Sequence, residues 1–96
     1  MVNGVSDEIG ELFELLEERR ANPRAGSYTN ELLNSGEDEI VKKIGEEAIE
    51  VILAAKGQGN ERVLEETADL IYHVLVLLVA RGLTWQDVLI ELDSRR

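Results

Sequence analysis

The sequence predicts an all-α protein, a bundle of four helices completed by dimerisation. Apolar residues recur at helical spacing in four stretches, and Gly, Pro and capping residues separate those stretches. No stretch alternates clearly in the manner of a strand. The chain is also short: 96 residues, no cysteine and 4% aromatic residues. It reads as a single domain, 1–96, with an aliphatic core and no disulfide framework. A domain of this size buries only about 60–65% of its unfolded surface, which is the reason to expect a homodimer or higher homo-oligomer.

The helices can be justified in order. Ile9, Leu12, Phe13 and Leu16 mark one face of the first helix. Ser6 is placed to cap it, with Asp7 and Glu8 in the electropositive first turn, Arg19 and Arg20 in the last turn, and Pro23 as the stop. PRAGSY, 23–28, reads as a loop, and Thr29 is expected to cap a short helical piece ending at Asn34–Gly36. The second long helix is predicted over Glu37–Lys56, with Ile40, Ile44, Ala48, Val51 and Ala55 on one face and Gly57 at its end. After the turn GQGN, Asn60 is expected to cap a third helix reaching Arg81, with Gly82 as its C-terminal stop. From Leu70 onward that helix is apolar nearly all round, the mark of burial on several sides. Thr84 and Asp87 form a capping-box pair for a last helix, with Trp85, Val88, Leu89 and Leu92 inward.

Ten Lys and Arg against 20 Asp and Glu give a formal net charge of −10. A nucleic-acid binder needs a basic footprint, so that class is excluded; a nucleotide substrate is not, because a bound cation inverts the local charge. The N-terminus lacks the basic and apolar regions of a signal peptide, and the apolar run Leu70–Ala80 falls far short of the roughly 20 residues of a membrane span. A soluble, cytoplasmic protein without membrane partners is the expectation.

Two acidic clusters break the helical pattern. KKIGEEAIEVILAAK, 42–56, carries Glu46, Glu47 and Glu50; EETADLIYHVL, 65–75, carries Glu65, Glu66 and Asp69. Glu47/Glu50 and Glu66/Asp69 share the same i, i+3 spacing, each beside an apolar stripe, and Lys43 lies one turn before Glu47. A short turn joins the two helices, so they pack antiparallel and both pairs can face one space. Such glutamates are most often a solvated face. Two matched pairs on consecutive helices make the alternative, a shared cation, worth pursuing. All-oxygen donors favour a hard cation, Mg²⁺ or else Mn²⁺, over Zn²⁺. Clustered carboxylates raise one another's pKa, and a divalent cation relieves that penalty. The chemistry that follows is metal-assisted attack of water on a phosphoryl group.

These residues resemble the phosphoribosyl-ATP pyrophosphohydrolase family, within the MazG-like group of all-α nucleotide pyrophosphohydrolases. SYT (27–29), KKIGEEAIEVILAAK (42–56), ETADLIYHVLVLL (66–78) and RGLTWQDV (81–88) carry the resemblance, which extends from about Ile9 to Leu92. The broad group shares EExxE followed by ExxD; the KxGEEAxE and ADLxYH wording is more specific to this family. The resemblance implies hydrolysis of the α–β phosphoanhydride of phosphoribosyl-ATP to phosphoribosyl-AMP and pyrophosphate, in histidine biosynthesis. It implies Glu47, Glu50, Glu66 and Asp69 as Mg²⁺ ligands, Glu46 as a further ligand or a water-orienting group, and Lys43 with Lys42 at the phosphates. Arg24 is a candidate for the substrate's second phosphate. Tyr28, with Ser27 and Thr29, and His73 are candidates for substrate contact, set against loop-capping and core roles. Tyr72 and Trp85 are expected to be packing residues. A fused cyclohydrolase domain, found in some members, does not fit in this length, so a stand-alone form is expected.

Two rivals are a broader (d)NTP pyrophosphatase of the MazG type and a non-catalytic helical oligomerisation module. Substrate choice separates the first, and the consequence of neutralising the acids separates the second.

Overall fold

The computed structural model describes residues 8–96 and, among them, holds five helices and no strand. They are α1 (Glu8–Ala21), α2 (Tyr28–Ser35), α3 (Glu37–Gly57), α4 (Asn60–Arg81) and α5 (Trp85–Asp93). The expected cap at Ser6 and the acidic Asp7 lie outside the described residues. No described helix is long and apolar enough to cross a membrane.

The short piece expected after Thr29 is a full helix, and its cap is Ser27 rather than Thr29. Ser27 has the extended backbone a cap requires (φ −80°, ψ 124°), and its hydroxyl accepts from the Asn30 N–H at 3.2 Å. Thr29 is buried inside the first turn, where its hydroxyl meets the Tyr72 hydroxyl. The expected Asn60 cap is likewise displaced. Gly59 occupies the cap position at φ 92°, and Asn60 is the first helical residue. The two-residue reversal between α3 and α4 needs a backbone conformation that only glycine takes freely, which costs the helix its side-chain cap. At the other end of α4 Gly82 adopts the left-handed conformation, and Leu83 N–H returns to the Leu78 carbonyl at 2.9 Å. The Thr84–Asp87 capping box of α5 forms as expected.

Phe13 and Leu16 from α1, Leu32 from α2, Ile40 from α3, and Leu75, Val76 and Val79 from α4 make one aliphatic core. This core gathers the C-terminal half of α4, the start of α3 and the two short N-terminal helices. Arg20 donates to the Val79 carbonyl and Asn30 donates to the Arg19 carbonyl at 2.8 Å, so polar contacts tie α1 to both α4 and α2. The far half of the α3–α4 hairpin reaches past the core. The radius of gyration of 14.5 Å exceeds the roughly 12.5 Å of a compact chain this long, as such an overhang requires.

Two apolar expectations shift in consequence. On α3, Ile40 and Ala54 are buried and Ile44, Ala48 and Val51 half-buried, while Ala55 is exposed. On α5 Trp85 and Val88 are half-buried, but Leu89 and Leu92 face solvent at 40% and 54% exposure. The overhanging hairpin also exposes Ile49, Ile52 and Leu53 of α3 together with Leu64 and Ile71 of α4.

Candidate functional site

The α3–α4 hairpin decides which acids meet. Carboxylate oxygens of Glu47, Glu66 and Asp69 lie within 4.8 Å of one another, with Glu66 buried, Glu47 half-buried and Asp69 exposed. The cluster is therefore closed on its Glu66 side and open to solvent at Asp69. Glu66 and Asp69 stand one turn apart on α4, and Glu47 reaches them across the helix interface. Burial pushes the Glu47 carboxyl above its ordinary range, helped by a hydrogen bond to Glu66 and by the charges of Asp69 and Glu66. Three carboxyl groups drawn into one space repel when ionised, the penalty that a bound cation relieves.

These three side chains fit a hard divalent cation. Their donors are all oxygen, and the exposed edge leaves room for the waters Mg²⁺ retains. Oxygens about 2.1 Å from an octahedral Mg²⁺ stand about 3.0 Å apart at adjacent positions and about 4.2 Å at opposite ones, so a cluster whose oxygens lie within 4.8 Å of one another draws in to hold it.

The other predicted residues are placed differently. Glu50 is half-buried one turn beyond Glu47 and is outside the three-carboxylate group. Glu46 pairs with Lys43, Nζ to Oε1 3.4 Å, and that hydrogen bond is the main reason the lysine pKa is raised. Lys42 is exposed. Lys43 and Tyr28 line one open cleft of about 230 Å³ with Glu31, Ser35 and Glu39. On its other side Tyr28 borders a groove of about 320 Å³ that also takes in Arg19, Arg24, Ser27 and Tyr72. A groove of about 660 Å³ runs along α5 away from all of these, and two of its lining side chains, Asp93 and Arg96, pair with each other at 2.7 Å.

His73 is 5% exposed and lies behind Tyr28, its Nε2 3.0 Å from the Tyr28 hydroxyl and its Nδ1 2.7 Å from the Asp69 backbone carbonyl oxygen. The Tyr28 and Tyr72 rings stack at 6.1 Å, and His73 packs edge-on to both. The first turn of α2 is thereby fastened to the turn of α4 that carries Asp69.

Sequence reasoning missed two site residues. Arg62 reaches Glu66 at 2.6 Å and also contacts Glu65, supplying the positive charge beside the buried acid. The signal was its position four residues before Glu66, a spacing at which helical ion pairs form. Asn30 is the other: it accepts from the Arg24 N–H at 2.8 Å as well as donating to Arg19, and so holds the loop that presents Arg24 and Tyr28. A buried asparagine in the first turn of a short helix has no apolar pattern to reveal it.

Residues 9–96 match the family model described as phosphoribosyl-ATP pyrophosphohydrolase. The chain belongs to this family. The match takes in all three clustered acids together with Tyr28, Lys43 and His73. A protein named phosphoribosyl-ATP pyrophosphatase from Lactiplantibacillus plantarum is 53% identical over 85 residues, 88% of this chain and 80% of that protein. One of the same name from Pelotomaculum thermopropionicum is 52% identical over 93 residues, covering 97% of this chain and 95% of its own. A histidine biosynthesis bifunctional protein from Prochlorococcus marinus is 47% identical over 91 residues, which is 95% of this chain and 41% of that longer one. The family thus occurs both near this length and inside larger chains.

Proposed function

We propose that this chain is the histidine-biosynthesis hydrolase that cleaves the α–β phosphoanhydride of phosphoribosyl-ATP, releasing phosphoribosyl-AMP and pyrophosphate. The observation that carries the proposal is the convergence of Glu47, Glu66 and Asp69 at the solvent edge of the α3–α4 interface, in a member of this family.

Glu47, Glu66 and Asp69 hold Mg²⁺, with Mn²⁺ as the alternative, and Glu50 joins them by turning its side chain toward the cluster. When bound, the cation supplies positive charge against the phosphate oxygens and makes coordinated water more acidic. The chain's own residues do the rest. Lys43, at the cleft beside the cluster, leaves Glu46 to meet the phosphate chain, with the exposed Lys42 adding to the same positive field. Glu46, freed in that exchange, is placed to orient water. Arg24, at the groove beyond Tyr28, takes the second phosphate at the far end of the substrate. Aligning water, anhydride and counter-charges in a fixed geometry is the larger part of such catalysis.

The working unit is a homodimer, and the cytoplasm its compartment. Ile49, Ile52, Leu53, Leu64 and Ile71 lie exposed on the hairpin that carries the acids, so a second copy covering them would also close the open side of the site. A magnesium-dependent pyrophosphate-release assay with phosphoribosyl-ATP, run beside a panel of common (d)NTPs, tests the proposal. Turnover of phosphoribosyl-ATP far above the panel is expected. Strong (d)NTP hydrolysis with none of phosphoribosyl-ATP would make the chain a broader pyrophosphatase instead. Absence of any turnover, with function intact after the acids are neutralised, would make it a non-catalytic module.

A further inference from the structure

His73 and Tyr28 are joined in a way that fixes who donates to whom. A neutral imidazole has one ring proton, and a backbone carbonyl can only accept. Because Nδ1 lies 2.7 Å from the Asp69 carbonyl oxygen, the proton is on Nδ1 and Nε2 presents a lone pair. The Tyr28 hydroxyl, 3.0 Å from Nε2, is therefore the donor in that contact. A phenol has a single proton, so the outer side of the Tyr28 oxygen can only accept. Tyr28 lines the cleft shared with Lys43 and is itself 47% exposed. Burial is the main influence raising the Tyr28 pKa; the Lys43 ammonium acts against it, and Tyr72, Glu47 and Asp69 add to it.

We propose that His73 is a positioning residue: by accepting the Tyr28 proton it fixes the Tyr28 oxygen as an acceptor for a ribose hydroxyl of the nucleotide, and not as a ligand of its phosphates. Phosphate oxygens at neutral pH are acceptors, and they repel an oxygen whose only proton is committed elsewhere. The donors of a nucleotide nearest its phosphate chain are the sugar hydroxyls, and Tyr28 borders both the cleft of Lys43 and the groove of Arg24. His73, nearly fully buried behind the ring, touches the nucleotide only through Tyr28. The choice of a nucleotide as ligand rests on the hydrolase proposed above; the direction of the His73–Tyr28 bond does not.

The test has one arm without substrate and one with it. Protein labelled with ¹⁵N-histidine is expected to show the Nδ1–H tautomer near pH 8, with the Nε2 resonance moving when Tyr28→Phe removes the donor; an Nε2–H tautomer overturns the proposal. Kinetically, Tyr28→Phe is expected to raise KM about threefold to tenfold, the loss of one hydrogen bond, while kcat changes by less than about twofold. Inhibition by pyrophosphate is expected to be unchanged, since Tyr28 does not touch phosphate. A parallel loss of pyrophosphate inhibition, or a fall in kcat with KM unchanged, overturns the proposal. His73→Phe should reproduce Tyr28→Phe, and the double variant should be no worse than His73→Phe alone. Additive losses would show His73 acting on its own. Tyr28→Phe removes one exposed hydroxyl and keeps the test alive should His73→Phe fail to fold. The kinetic arm uses whichever nucleotide the wild-type protein turns over, so failure of the phosphoribosyl-ATP assignment and failure of this proposal give different results.

Discussion

The two acidic pairs have the same spacing and different fates. On α4 Glu66 and Asp69 both enter the carboxylate cluster; on α3 Glu47 enters it and Glu50 does not. Residues at i and i+3 differ by about 60° around a helix, so a pair can straddle the line facing a neighbour or lie to one side of it. The α4 pair straddles that line, with one member buried and one exposed, while the α3 pair offers a single member. Three carboxylates are thus brought together by the fold alone, and Glu50 would have to turn to join them.

That contrast can be broken or sharpened by measurement. The largest effects are expected from the assembled ligands: Glu47→Gln and Asp69→Asn should each weaken Mg²⁺ binding and lower activity by more than about 100-fold, beyond what is usual for groups that merely support a ligand, with helicity retained by circular dichroism. Unchanged Mg²⁺ affinity in a titration of both variants would remove the metal site. Glu50→Gln should cost about tenfold, because a recruited side chain spends part of its gain on lost rotamer freedom. A loss equal to that of Glu47→Gln would erase the distinction between the two pairs.

Stability supplies a third comparison. Glu47 has a raised pKa in the folded chain, so its contribution to stability is full below its unfolded pKa and is lost as pH rises through the folded value. At neutral pH without Mg²⁺ its ionised form opposes folding. Glu47→Gln should therefore stabilise the metal-free protein near pH 7.5 by about 1 kcal/mol, or roughly 4–8 °C in Tm, with little gain near pH 4. A variant no more stable than wild type at the higher pH would mean that Glu47 is not crowded as the geometry requires. The smallest effect should come from Arg62→Gln. The Arg62 guanidinium lies on Glu66 and opposes a second positive charge there, but its side chain is 44% exposed and screened. Mg²⁺ affinity should tighten about twofold to fivefold by calorimetry, and weaker binding would instead make Arg62 a support of the site.

Much of the scaffold was legible because its punctuation is chemical. Pro23, Gly82 and the Thr84–Asp87 pair mark the ends that the structure has, and they do so through a missing donor, a left-handed turn and reciprocal hydrogen bonds. The errors arose where neighbouring residues compete for one role. Ser27 and Thr29 are both good caps, and tertiary contact with Tyr72 claims Thr29. Gly59 displaces Asn60 because the reversal, not the cap, sets the backbone there. Within the site, spacing pointed to the two acidic pairs, three of whose four members meet. It could not give the rotation of α3 against α4, which separates Glu47 from Glu50, nor the rotamers that send Lys43 to Glu46 and Arg62 to Glu66. The outward aliphatics of the hairpin look like core residues in the sequence, since periodicity records that a face is apolar but not which molecule covers it.

The acids that gather on α3 and α4 are contributed by one helix–turn–helix segment, whereas α1 docks onto α4 from some 60 positions away along the chain, as in the bond from Arg20 to Val79. Closing the nearby pair requires far less chain to be ordered than closing the distant one. Transient detachment of α1 should therefore leave the three carboxylates still grouped, and amides of the central hairpin should exchange with deuterium more slowly than those of the N-terminal helix.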